Sequence, residues 1–368
     1  MKKEKTKLRI NGKLLFNIAV LLISAYLIVY FFVSEDGMID LLSTPGSFNI
    51  GLIIIAFLIF LSNTVIDSIV TLIMIRSKFP HFSFFDAIKV SFVGVFFSAI
   101  TPSSTGGQPM QLYLMAKNNI SVGFGSACMT QKFIVYQIVT TTFSVIAIIT
   151  RYDFFKSAFI NFWSTAFVVL GLSTQLIITA AFLLVSFSHK ATGGLISLIE
   201  KILSKLKFVK NTEGKINKLR EEVEKFHQGN KLLFTDKIML VKIYLLVIVQ
   251  VFAILSVPYL IYLSFGMPQA SIEAGITPGN IFDFICIQSF VLFTSNLIPL
   301  PGASGGAELA FTMYFGQFFI AAGKNKIKPA ILLWRFITYY ASILTSLPFT
   351  YFTKNKNREE ALEKELHK

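Results

Sequence analysis

The chain has 368 residues, of which 54% are hydrophobic and 15% charged, with a formal net charge of +14. A soluble domain of average composition carries about 25% charged residues to cover its wetted surface, so this composition excludes an ordinary water-facing globular enzyme. The basic residues fall between apolar runs and not in one patch, which is the distribution set by membrane topology and anionic headgroups and excludes a nucleic-acid surface.

In chain order, a basic start (Lys2, Lys3, Lys5, Lys7, Arg9) precedes an apolar run from Leu14 to Val33. That run matches the ~20 residues needed to cross hydrocarbon, so a retained first helix is expected with its start in the cytoplasm. The next loop holds Glu35, Asp36 and Asp40 and no basic residue, which suits the outside. A second helix is predicted over 50–75, ending at Arg76 and Lys78 on the inside. The stretch 82–118 is different. An apolar arm with Asp86 and Lys89, both expected near the interface, runs into Thr101-Pro-Ser-Ser-Thr-Gly-Gly-Gln-Pro109, and only Met110–Met115 remains before Lys117-Asn118-Asn119. A return arm that short cannot span a bilayer at 1.5 Å per residue. The segment therefore reads as a re-entrant hairpin, whose broken backbone is tolerated only under protein or beside a wet cavity.

Further helices are predicted over 122–150 and 160–187. The lysine-rich stretch between His189 and Lys237 places Leu195, Ile199, Ile202, Leu206 and Val209, then Ile216, Leu219, Val223 and Phe226, at helical spacing. Two amphipathic helices capping the cytoplasmic surface are expected there. A helix over 238–264 leads to an outside loop, 266–280. A second broken segment follows: 281–299, then Leu300-Pro-Gly-Ala-Ser-Gly-Gly-Ala-Glu308, then a return arm to about 322. A last helix is predicted over 329–352. In this topology Lys324, Lys326 and Lys328 face outside, against the positive-inside tendency.

The two breaks share one pattern, Pro-x-x-[Ser/Thr]-Gly-Gly, at Pro102–Gly107 and Pro301–Gly306. Three spans separate them, so the second hairpin enters from the opposite face, as in inverted-repeat transporters. The reading is thus an all-α polytopic membrane protein, with about six spanning helices plus two Gly-Gly re-entrant hairpins in an inverted repeat. One integral membrane unit is expected over 1–355, with repeats at about 50–187 and 238–352, the cytoplasmic helices 190–237 between them, and a charged tail at 356–368. Both termini are expected in the cytoplasm of a bacterial cell membrane.

Freed N–H groups and helix N-termini at such breaks can hold an anion. The lipid-binding candidates are Pro102, Thr105, Gly106, Gly107 and Gln108 in the first break, and Pro301, Ser304, Gly305 and Gly306 in the second. A Gly-Gly pair also serves close helix packing, and that alternative stays open here. Ionisable residues at membrane depth are costly and point to function: Asp67, Lys132, Glu308 and Arg335, the last near enough to a helix end to snorkel. Cys128 and Cys286 lie in apolar segments and the four histidines are scattered. No disulfide framework, metal site, catalytic constellation or cofactor is expected.

Phe97-Ser-Ala-Ile-Thr-Pro-Ser-Ser-Thr-Gly-Gly-Gln-Pro109 and Ile298-Pro-Leu-Pro-Gly-Ala-Ser-Gly-Gly-Ala-Glu308 resemble the signatures of the lysylphosphatidylglycerol synthase transmembrane-region family, also called flippase-like. The resemblance covers roughly 10–355. That family includes the membrane half of the multiple peptide resistance factor, which adds lysine to phosphatidylglycerol and moves the product between leaflets. The resemblance implies a lipid-translocation module. In that factor lysyl transfer belongs to a soluble C-terminal domain, and here only 353–368 follow Phe352, so transferase activity is not expected of this chain. The leading expectation is translocation of a phospholipid, anionic or aminoacylated, with Thr105, Ser304 and the glycine amides on its phosphate. Lys132 or Arg335 would supply counter-charge, and Glu308 or Asp67 would meet a cationic headgroup. No Gly-x-x-x-x-Gly-Lys-[Ser/Thr] motif is present. The alternatives are a membrane component of lysylphosphatidylglycerol synthesis and a scaffold for a separate synthase, with a partner enzyme or a second copy of the chain bound.

Overall fold

The long apolar runs become helices where the sequence supplies starts and stops. In the computed structural model, which describes residues 48–150, 162–205 and 212–351, Asn49 caps α1 (Ile50–Arg76), its side chain accepting from the Leu52 N–H at 3.3 Å. Ser83 caps α2 (Phe84–Ile100), accepting from the Asp86 N–H at 3.0 Å and donating to the Asp86 carboxylate at 2.6 Å. These side chains satisfy donors that a helix start leaves open. α2 stops at Thr101, which is extended (φ −113°, ψ 146°) because the residue before a proline is driven out of the helical region. A 3-10 turn, Pro102–Ser104, leads into the return arm α3 (Gly107–Lys117).

Next come α4 (Val122–Thr150), α5 (Phe162–Phe187), α6 (His189–Lys205), α7 (Thr212–Thr235) and α8 (Lys237–Ser264). The loop after α8 holds a short helix that the sequence reading did not anticipate, α9 (Met267–Glu273). α10 (Ile281–Asn296) starts with a reciprocal Asn280–Asp283 capping box. A 3-10 turn, Pro301–Ala303, leads into α11 (Gly306–Phe315). Two residues of β1 (Ile320–Ala321) then pair antiparallel with β2 (Lys324–Asn325). α12 (Ile327–Arg335), a π segment (Phe336–Tyr340) and α13 (Ala341–Tyr351) form the last span. Five helices among the described residues are long and apolar enough to cross a bilayer: 50–76, 122–150, 165–187, 237–264 and 327–350. The expected helix over 14–33 and the tail 356–368 lie outside the described residues.

The bundle has two distinguishable ends. At one, Arg76 Nε donates to the Phe82 carbonyl at 2.9 Å, and Lys78 lies 5.3 Å over the Phe124 ring. At the other, the Asn49 N–H donates to the Ser264 carbonyl at 2.8 Å, the Gly279 N–H to the Tyr262 hydroxyl at 3.3 Å, and Lys326 Nζ lies 5.9 Å from the Phe265 ring. α1 and α8 therefore run antiparallel, side by side. The α2–α3 hairpin has its base at the Arg76 end and the α10–α11 hairpin at the Ser264 end. Their 3-10 turns pack on each other in the interior. At 1.5 Å per residue each return arm rises only ~15 Å, half the ~30 Å of hydrocarbon.

The α6–α7 pair is only partly the surface cap the sequence suggests. α7 docks along the first turns of α4. Glu222 accepts from the Gly123 N–H at 2.6 Å, and Gln131 Nε2 donates to the Asn230 carbonyl at 3.2 Å. Ile216, Phe226 and Leu233 are buried. On α6, by contrast, Leu195, Leu198 and Ile199 remain exposed.

Candidate functional site

The two Pro-x-x-[Ser/Thr]-Gly-Gly turns fold alike through their variable pair. Ser103 (φ 51°) and Ser104 (φ 55°) in the first match Gly302 (φ 60°) and Ala303 (φ 53°) in the second. Each turn closes with the same amide pattern: the Ser104 and Ala303 N–H groups donate to the carbonyls of Thr101 and Leu300, and the Thr105 and Ser304 N–H groups to those of Pro102 and Pro301. Left-handed backbone is costly for any residue with a Cβ and concentrates at functional sites. The turns diverge at the following residue. Thr105 and Gly106 are helical, whereas Ser304 is extended and Gly305 has φ 83°. Neither return arm has a side-chain N-cap, so the first turns of α3 and α11 keep donors of the kind that bind anions.

The candidates inside these turns divide by what surrounds them. Gly106 donates its N–H to Thr101 Oγ1 at 2.9 Å, and the Thr105 and Ser304 hydroxyls donate to Pro102 and Pro301 carbonyls of their own turns at 2.9 and 3.0 Å. A Cβ on Gly107 would fall 2.0 Å from Ser98 Oγ and 2.7 Å from the Gly94 carbonyl, and one on Gly306 would fall 2.3 Å from Ile298. These two glycines let each return arm lie against its descending helix. At Gly305 a Cβ would meet nothing within 4 Å, so its positive φ is what calls for glycine. Pro102 and Gln108 are exposed at the tip, and Gln108 lines the interior cavity.

Arg335 is the centre of the second turn. It does not snorkel: it is 5% exposed and points into the hairpin. Its Nη1 donates to the Gly302 carbonyl at 2.8 Å and its Nη2 to Ser304 Oγ at 3.4 Å. Nε lies 2.7 Å from Glu308 Oε1, as an ion pair whose N–H direction misses a hydrogen bond, and Glu308 Oε2 is buried with no donor. The guanidinium also sits 4.8 Å from the Tyr339 ring, whose hydroxyl donates across to the Ala99 carbonyl of the first hairpin at 3.1 Å. One cation thus ties the last span to one turn, and its aromatic neighbour ties it to the other.

Asp67 and Lys132 form a second pair, with Lys132 Nζ 3.0 Å from both carboxylate oxygens. Ser91 donates to Asp67 at 2.6 Å and Lys132 donates to Thr71 at 3.2 Å. Ser91 and Ala99 stand eight residues apart on α2, so this pair lies ~12 Å nearer the Arg76 end than the turns. A cavity of about 500 Å³ joins the two levels, lined by Asp67, Ser91, Gln108, Gln111, Lys132, Ser104 and Tyr339. A neighbouring space of about 350 Å³ shares Ser104, Gly302 and Tyr339 with it and reaches Arg335, Trp334 and Gln288. Asn63 Oδ1 on the first, and Gln288 Oε1 and Trp334 Nε1 on the second, are buried without partners. Buried polar atoms of that kind call for a ligand or water. Asn63, Ser91, Gln111, Gln288 and Tyr339 were not singled out from the sequence. The one available signal was polarity inside an apolar run. Asp86 accepts from the hydroxyl of the cap Ser83 near the base of the first hairpin, away from the interior cavity.

The chain is 23% identical over 298 residues to a UPF0104 membrane protein of Archaeoglobus fulgidus, covering 79% of this chain and 83% of that protein. It is 22% identical over 354 residues to an uncharacterized protein of Mycoplasma genitalium, covering 91% and 86%. No solved structure matches it. The sequence profile of the lysylphosphatidylglycerol synthase TM region matches residues 17–346, the span that carries both hairpins, both interior ion pairs and the cavities beside them, and the chain is a member of that membrane-protein family.

Proposed function

We propose that this protein binds the headgroup of a membrane phospholipid between the two hairpin turns and carries it between leaflets. The carrying observation is the pair of opposed hairpins meeting at two adjoining interior cavities, one lined by Lys132 and the other by Arg335. A phosphate needs cationic and N–H donors, and it finds them in Arg335, in Lys132 and in the uncapped first turns of α3 and α11. The acyl tails stay in lipid while the headgroup uses the cavity. Rocking of two halves, about 50–187 against 238–352, gives alternating access, as broken-helix folds of this kind do. Asp67 and Glu308 neutralise the cations when no headgroup is present and suit the ammonium of an aminoacylated lipid.

The test is leaflet exchange of fluorescent phosphatidylglycerol in vesicles containing the purified protein. Arg335→Gln removes the charge and is expected to slow exchange about tenfold or more, the loss of one or two charge-assisted hydrogen bonds. Unchanged exchange in that variant would remove the headgroup from Arg335. A second reading is favoured by the family's description: a membrane component that presents lipid to a lysylphosphatidylglycerol synthase, with the uncovered face of α6 as a docking point. Co-purification of a lysyl-transferring enzyme that depends on the segment 190–237 would favour it over transport.

A further inference from the structure

The two half-buried carboxylates are held very differently. Asp67 is saturated: both oxygens lie 3.0 Å from Lys132 Nζ, and Ser91 donates to one of them at 2.6 Å. Glu308 is not. Oε1 has an ion pair with Arg335 at 2.7 Å that lacks hydrogen-bond alignment, and Oε2 is buried with no donor. Arg335 is the cation paired with Glu308 among the described residues. The other titratable group beside the pair is Tyr339, on the π segment, which lies against the Arg335 guanidinium. Further along Glu308's own helix, Tyr314 is engaged with Thr294 at 3.3 Å. α10, packed against α11, presents the Gln288 amide to the cavity.

Arg335 therefore has two hydrogen bonds into the turn and one unaligned contact to Glu308. An incoming phosphate competes most easily for the edge that faces Glu308. A carboxylate then left at membrane depth with no counter-charge and no donor is costly, and one proton removes that cost. Resting on the headgroup reading above, we infer that Glu308 couples lipid movement to protons: an anionic headgroup takes Arg335 from Glu308, and Glu308 takes up one proton in its place.

Charge balances through the cycle. In the empty site Arg335 and Glu308 neutralise each other. In the loaded site a monoanionic headgroup sits on Arg335, and a proton drawn from the same aqueous side sits on the Glu308 carboxyl. On release the proton returns to water as Arg335 closes on Glu308. Each lipid moves with one proton in the same direction, and no net charge crosses.

The experiment uses the full chain in vesicles of phosphatidylglycerol and phosphatidylcholine, with trapped pyranine and a trace of fluorescent phosphatidylglycerol. With the lumen alkaline, labelled lipid should accumulate in the inner leaflet toward about tenfold per pH unit, the limit of one proton per lipid. Pyranine should report acidification in step, and an imposed potassium diffusion potential should leave the ratio unchanged. Glu308→Gln, held permanently neutral, should lose the bias and the proton signal. Wild-type protein that equilibrates phosphatidylglycerol with neither bias nor proton signal overturns the coupling while leaving the headgroup reading intact. Wild-type protein that moves no phosphatidylglycerol overturns both. The wild-type arm decides the matter even where the variant fails to insert.

Discussion

A methyl group at Gly107 would sit within 2.7 Å of Ser98 Oγ and the Gly94 carbonyl, whereas one at Gly305 would meet nothing within 4 Å. The same motif letter thus has two physical meanings. At Gly107, alanine must push α3 away from α2, at the ~1–3 kcal/mol typical of overpacking. At Gly305, alanine meets no neighbour but must adopt φ 83° with ψ −51°, a sparsely populated backbone region that costs ~1–3 kcal/mol. Gly107→Ala should lower the thermal midpoint in detergent and loosen the contact between α2 and α3. Gly305→Ala should lower it with that contact intact. A cysteine crosslink placed between the two helices reports the difference: formation in both variants would show that the first hairpin tolerates the extra carbon.

Among the elements, α7 is attached through titratable groups whose pKa values are shifted. His227 is buried, its Nε2 2.9 Å from Thr192 Oγ1 and its ring centroid 3.9 Å from that of His189, the planes tilted by 30°. Burial and the His189 charge push its pKa below the usual 6.5, against smaller upward effects of the Ser186 backbone and Glu224. The unfolded chain then binds more protons than the folded one below pH 6.5, so stability falls as pH drops through that value and is fully present above it. Glu222 acts lower down. Burial would raise its pKa, but hydrogen bonds from Lys225 and the Gly123 amide outweigh this and hold it below 4.5. Its contribution is present above 4.5 and is lost as pH falls below it. Protein taken from pH 7.5 to 5.5 should therefore lose thermal stability, and His227→Gln should flatten that loss. An equal slope in wild type and variant would clear His227 of responsibility.

At the scale of the whole molecule, the two ends of the bundle differ in charge. Arg76, Lys78, Lys117 and the lysine-rich α6 and α7 gather at one end, which the positive-inside tendency assigns to the cytoplasm. Lys326 sits at the other, beside Phe265, so that tendency is not uniform here. Cysteine labelling tests the assignment cleanly, because the native Cys128 and Cys286 are buried. Lys117→Cys and Lys231→Cys should react with an impermeant reagent only from the cytoplasmic side, and Glu273→Cys only from the opposite side. Labelling of 117 and 273 from the same side would break the opposed-hairpin topology and with it the alternating-access reading.

Hydropathy, caps and breakers are local, and so the sequence alone determined the membrane class and most element limits. The predicted helix over 122–150 is α4 to the residue. The hairpins were legible because a return arm of ten or eleven residues cannot cross hydrocarbon, whatever surrounds it. The four ionisable residues were legible because charge in an apolar run is costly in any fold. Their pairing was not. Asp67 meets Lys132 across 65 positions, Arg335 meets Gly302 across 33, and Tyr339 reaches Ala99 across 240. The polar lining from Asn63, Ser91, Gln111 and Gln288 was hidden for a related reason. These helices are apolar nearly all round, so periodicity marks no inward face, and only packing in three dimensions selects which side of each helix meets the cavity.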